Sequence, residues 1–149
     1  MSLIVFLVLL LSCCGYALWQ GGAPERVAAG AQIGAFAINL PLHFAFEGSR
    51  YGETISATAL LDVMLLIGLV VLAWRSTRYW PLYLAGCQFA AIVGHLAKTI
   101  DPTMQATGYA VQAQIWAYPM LILTAAGAWR HRARRRTGDP DPAWKVFYN

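Results

Sequence analysis

Ile55-Ser56-Ala57-Thr58-Ala59-Leu60-Leu61-Asp62-Val63-Met64-Leu65-Leu66-Ile67-Gly68-Leu69-Val70-Val71-Leu72-Ala73-Trp74 carries a single charged side chain, Asp62, along its whole length. Roughly 20 apolar residues, at about 1.5 Å rise each, are what a helix needs to cross the hydrocarbon core of a bilayer. The run stops at Arg75-Ser76-Thr77-Arg78, and a second apolar run follows from Trp80 to Ile100. Three more runs lie outside this pair: Leu3 to Trp19, Val27 to Phe46 and Tyr109 to Trp129. The reading is an all-α integral membrane protein with five transmembrane helices in a small bundle (1–129). A cytoplasmic tail (130–149) follows, first basic and then rich in proline and aromatic residues.

Composition agrees with that reading. Of 149 residues, 58% are hydrophobic and 12% are charged, where a soluble domain carries about a quarter charged. So much apolar surface cannot be hidden in one aqueous core. No stretch shows the ten-residue alternation of a membrane β-strand. The first run lacks the basic start of a secretory signal, since no side chain before Glu25 is charged, and it is expected to be an uncleaved first helix. Cys13, Cys14 and Cys87 have no metal-binding spacing and are expected to act as small hydrophobes.

Lys and Arg beside a span stay in the cytoplasm. Arg75 and Arg78 lie before the fourth span, and Arg130, Arg132, Arg134, Arg135 and Arg136 follow the fifth. Two spans separate these groups, so both can face the same side. The expected topology is N-terminus out and C-terminus in. Trp19, Trp74, Trp80 and Trp129 then fall at inner boundaries, the depth that amphipathic rings favour. The arginine run is read as a topology signal and a contact for anionic lipid, not for nucleic acid. The aromatic end of the tail, Ala143 to Tyr148, is expected to lie on the membrane interface or on a partner protein.

Small residues at four-residue spacing let helices approach closely. Gly30 and Gly34 in the second run, and Gly86, Ala90 and Gly94 in the fourth, predict that those helices pack closely within the protein or against another subunit. Pro41 and Pro119 are expected to bend their helices.

Ionisable groups inside a span are costly and turn toward the bundle interior or a water pocket. Asp62 alone costs about 2.5–3.5 kcal/mol on insertion scales. His43, Asp62, His95, Lys98 and Gln112 fall at similar depth in four spans, and Gln88 shares a face with His95. They are expected to form a polar cluster in the outer half. That cluster has several readings: a network that fixes helix register, a pocket for a quinone, lipid or pigment headgroup, or axial ligation of a haem by His43 and His95. Proton or ion translocation completes the set. No P-loop, zinc-hydrolase, serine-hydrolase or dinucleotide motif is present, so no enzymatic apparatus is expected.

Arg75-Ser76-Thr77-Arg78-Tyr79-Trp80-Pro81-Leu82, His95-Leu96-Ala97-Lys98, Ile100-Asp101-Pro102 and Trp116-Ala117-Tyr118-Pro119-Met120-Leu121 resemble a family of short uncharacterised polytopic inner-membrane proteins of alphaproteobacteria. The resemblance covers the last half of the chain and implies an inner-membrane location, with no activity or residue role. Minimal loops, small-residue stripes and an aromatic tail lead to one functional expectation. It is a small accessory subunit of a larger membrane complex, with electron transport, respiratory or photosynthetic, as the suggested class. The alternatives are an autonomous protein binding a hydrophobic ligand in the outer leaflet, or a small transporter.

Overall fold

The computed structural model describes residues 3–45, 51–100, 115–138 and 142–145, with the side chains of 43–45, 51–56, 98 and 99 outside the description. Among the described residues five helices are present: α1 (Leu3–Gln20), α2 (Ala23–Ala45), α3 (Tyr51–Arg75), α4 (Trp80–Ile100) and α5 (Ala117–Thr137). Among the described residues there is no strand, only one isolated antiparallel bridge between Ser76 and Trp144.

The helix starts follow proline chemistry. Pro24, Pro81 and Pro119 all sit in first turns, where a missing N–H removes no intrahelical bond. Pro119 follows by three residues the turn at Trp116 that separates α5 from the helical Ile115. Pro41 does lie within α2. At the other end, α5 runs through the arginine cluster to Thr137, well past the expected boundary at Trp129. Arginine is a good helix former, and cations in the last turn complement the helix dipole. The helix stops at Gly138, whose φ of 75° is the left-handed C-cap that glycine adopts without strain. The basic segment is thus a helical extension of the bundle, and α2 and α3 likewise start earlier than expected.

Each helix packs on its chain neighbours, and α5 closes the ring against α1 while also touching α2. Two apolar clusters result. Leu10, Cys14, Ala17, Ala29, Leu121 and Ala128 form one, and Ala28, Leu69, Leu72, Leu84, Ala85 and Met120 form the other. Ala28 and Ala29 face opposite clusters, as do Met120 and Leu121, so α2 and α5 form the wall between them. Gln32 donates through Nε2 to Thr124 Oγ1 across this wall (2.6 Å), and the Thr124 hydroxyl donates in turn to Met120 O (2.9 Å).

Within the single chain, the Gly30, Gly34 and Gly86 positions are open. α2 and α4 are not packing neighbours, and a Cβ added at Gly30, Gly34 or Gly86 would meet nothing within 4 Å. Gly127 of α5 does permit a close approach between helices. A Cβ there would come within 2.9 Å of the Trp80 ring. Trp80 accordingly turns inward, whereas Trp19, Trp74 and Trp129 are exposed.

The surface is apolar on all five helices. Ile4, Leu11, Ile38, Leu60, Met64, Leu82, Phe89, Leu96 and Ile122 are among many large hydrophobic residues left exposed, while Glu25, Gln32, Gln88, His95 and Thr124 are buried. Isolated exposed hydrophobics are ordinary, but contiguous ones mark a partner or a membrane. Among the described residues two stretches, Leu3–Gln20 and Ala57–Arg75, are long and apolar enough to cross a membrane. Glu25 and Arg26 open α2, and the described part of α5 is apolar only as far as Trp129.

Candidate functional site: two buried polar clusters

The first cluster lies between α3 and α4. Asp62 is near the middle of α3, and both of its carboxylate oxygens are occupied. Gln88 Nε2 donates to Oδ1 at 2.9 Å and lies 3.3 Å from the Asp62 carbonyl. His95 Nε2 is 2.7 Å from Oδ2. Gln88 and His95 stand two turns apart on one face of α4, so they meet the carboxylate from either side. Both are almost fully buried, and Asp62 is partly exposed.

Of the expected cluster, the structure brings together Asp62 and His95, with Gln88 as the third member. His43 and Lys98 lie on α2 and α4, but their side chains are outside the described residues, as is Gln112 entirely. His95 Nε2 is directed at a carboxylate, so iron ligation through that nitrogen would have to break a 2.7 Å contact. Among the described residues no group of three or more His, Cys, Asp or Glu is placed to hold a metal.

The second cluster sits at the opposite end of the bundle. Arg78, in the connection between α3 and α4, turns inward and donates through Nη1 to the Glu25 carboxylate in the first turn of α2. Its Nη2 is 3.1 Å from His131 Nδ1 on α5, and its backbone N–H donates to Ser76 Oγ at 3.1 Å. Glu25 is fully buried and Arg78 nearly so. A buried guanidinium and carboxylate are tolerated only when each finds its counter-charge. Three elements are thereby tied at one point, and the two arginine-bearing segments lie at the same end of the molecule.

Sequence reasoning assigned Arg78 to the membrane surface and left Glu25 in a loop. The missed signal is Gly21-Gly22. This two-residue turn lets α2 begin at Ala23, with Gly21 N–H bonded to Ala17 O at 2.9 Å. Glu25 is thereby placed inside the helix end. The remaining arginines behave otherwise: Arg75, Arg130, Arg135 and Arg136 are exposed, and Arg132 and Arg134 are half-buried on α5.

The tail docks on its own chain. Thr77 N–H donates to Ala143 O (3.4 Å), Lys145 N–H to Arg75 O (2.8 Å), and the Thr77 hydroxyl to Pro142 O. Residues 142–145 thus run antiparallel to 75–77. Trp144 comes opposite Ser76 and Lys145 opposite Arg75, and these two tail residues line an open groove of about 600 Å³ with Trp74 and Arg75.

No protein-family model, curated protein or solved structure matches this chain.

Proposed function

We propose that this chain is a five-span protein of a bacterial inner membrane, with its N-terminus outside and its C-terminus in the cytoplasm, and that it serves as a small accessory subunit of a larger membrane assembly. The observation that carries the reading is the inverted polarity of the bundle. Apolar side chains face outward on every helix, while the buried Gln32, Glu25, Arg78, Gln88 and His95 each make a polar contact inside. In hydrocarbon the outward face has no cost, and each internal pairing removes the penalty of an unsatisfied group. In this reading the two polar clusters hold the helices in register, and the lipid-facing surface is available to a neighbouring subunit. Electron transport is the class of assembly to which we assign it.

Mild detergent extraction followed by native mass measurement tests this. Co-migration with a defined larger complex is the expected result, and a solitary protein contradicts it. A second reading, binding of a quinone, pigment or haem, has one observation in its favour: Asp62, Gln88 and His95 converge within an otherwise apolar pair of helices. A solitary protein that carries a chromophore or an extractable quinone would favour that reading.

A further inference from the structure

We infer that the groove between Trp74-Arg75 and Trp144-Lys145 is a binding site for one anionic phospholipid. The inference rests on the membrane reading above and adds a specific ligand to it. Two cations face the groove, Arg75 at the end of α3 and Lys145 in the docked tail, together with two indole rings. Both cationic residues are exposed, and among the described residues neither side chain is paired with a carboxylate. The Trp74 and Trp144 rings are 69% and 40% exposed, and indoles favour the headgroup depth of a bilayer.

The groove also opens onto an apolar track. Leu60, Met64, Ile67, Val71 and Trp74 are all exposed on α3, and their spacing of three and four residues places them on one face of the helix. That face is roughly 20 Å long, enough for an acyl chain, and it leads to Arg75. A track with a doubly cationic end matches a lipid with one negative charge. A zwitterionic headgroup would set its own cation against Arg75 and Lys145. The backbone pairing of 142–145 with 75–77 holds the second cation over the first. The site is therefore built by the tail and is distinct from the arginines of α5.

The test uses the full chain, purified in mild detergent and delipidated, then titrated with dioleoyl-phosphatidylglycerol or dioleoyl-phosphatidylcholine and read by native mass spectrometry. The expected result is one phosphatidylglycerol retained with roughly 30-fold preference, the factor two cations at an anionic headgroup confer. The Arg75→Gln/Lys145→Gln variant should lose most of that preference with unchanged thermal stability in lipid-free detergent. Arg135→Gln/Arg136→Gln should keep it within about 3-fold. Equal retention of the two lipids, or loss only on neutralising Arg135 and Arg136, overturns the site. Displacement of the lipid by millimolar glycerol phosphate also overturns it, by assigning the cations to a free phosphate. A chain that stays in solution without detergent overturns the membrane reading as well, whereas one that needs detergent but ignores lipid charge overturns this inference alone.

Discussion

Arg78 reaches from the α3–α4 connection into the end of the bundle and meets the buried carboxylate of Glu25, 53 positions earlier in the chain. The contact ties the α1–α2 hairpin to the α3–α4 hairpin, and His131 of α5 stands on the other side of the guanidinium. Burying two opposite charges together gives little net stability, but removing one strands the other.

Arg78→Met alone should therefore destabilise the protein by about 3–5 kcal/mol, and Glu25→Gln by a smaller amount because the amide can still accept from the guanidinium. Glu25→Leu/Arg78→Met should recover much of the Arg78→Met loss. Thermal unfolding in detergent, read by helical circular dichroism, measures all three. A double variant as unstable as the sum of the single ones contradicts the pairing.

Asp62→Leu leaves Gln88 and His95 facing an apolar side chain. It should lower stability by about 1–3 kcal/mol, while Asp62→Leu/Gln88→Leu/His95→Leu should regain part of the loss. Expression and melting temperature are the readouts. An Asp62→Leu protein indistinguishable from the parent would show that the carboxylate holds nothing.

Gly127→Leu forces a side chain into the Trp80 ring, where even a Cβ lies at 2.9 Å. Overpacking of this kind costs typically about 1–3 kcal/mol. Gly30→Ala and Gly86→Ala, whose added methyl groups meet nothing within 4 Å, should be neutral or slightly stabilising in the isolated protein. A loss of stability at Gly30 or Gly86 comparable with that at Gly127→Leu contradicts the packing described.

Thr124→Val removes the hydroxyl that accepts from Gln32 across the α2–α5 wall. Interhelical bonds of this type average about 0.6 kcal/mol in a membrane protein, so the single change should be small. Gln32→Leu/Thr124→Val should show coupling of that size in a double-mutant cycle.

The helical class was legible because a long apolar run has few alternatives, and α3 and α4 stand close to where their runs place them. The pairing of Asp62 with a residue of α4 was legible for a similar reason. A carboxylate inside an apolar helix needs a partner, and His95 and Gln88 share the face that can supply it. Glu25 and Arg78 were not legible. Each lies at a polar break, where a sequence reads as surface, and only the tight Gly21-Gly22 turn and the inward set of the α3–α4 connection bury them. Charge marks the expected span end at Trp129 but does not stop a helix, so α5 runs on to Thr137, where Gly138 caps it. The docking of 142–145 rests on backbone hydrogen bonds, which leave no periodic trace in side chains.

The most direct test of the account is the sidedness of its two ends in intact cells. Single cysteines are introduced at Thr77, beside Arg78, and at Thr103, in the segment expected outside between the fourth and fifth spans, with Cys13, Cys14 and Cys87 replaced by alanine or serine. They are then exposed to a membrane-impermeant maleimide. Labelling of Thr103→Cys in whole cells, with Thr77→Cys labelled only after the membrane is opened, is the predicted result. Labelling of Thr77→Cys from outside, or of both positions alike, would contradict a five-span bundle with its arginines in the cytoplasm.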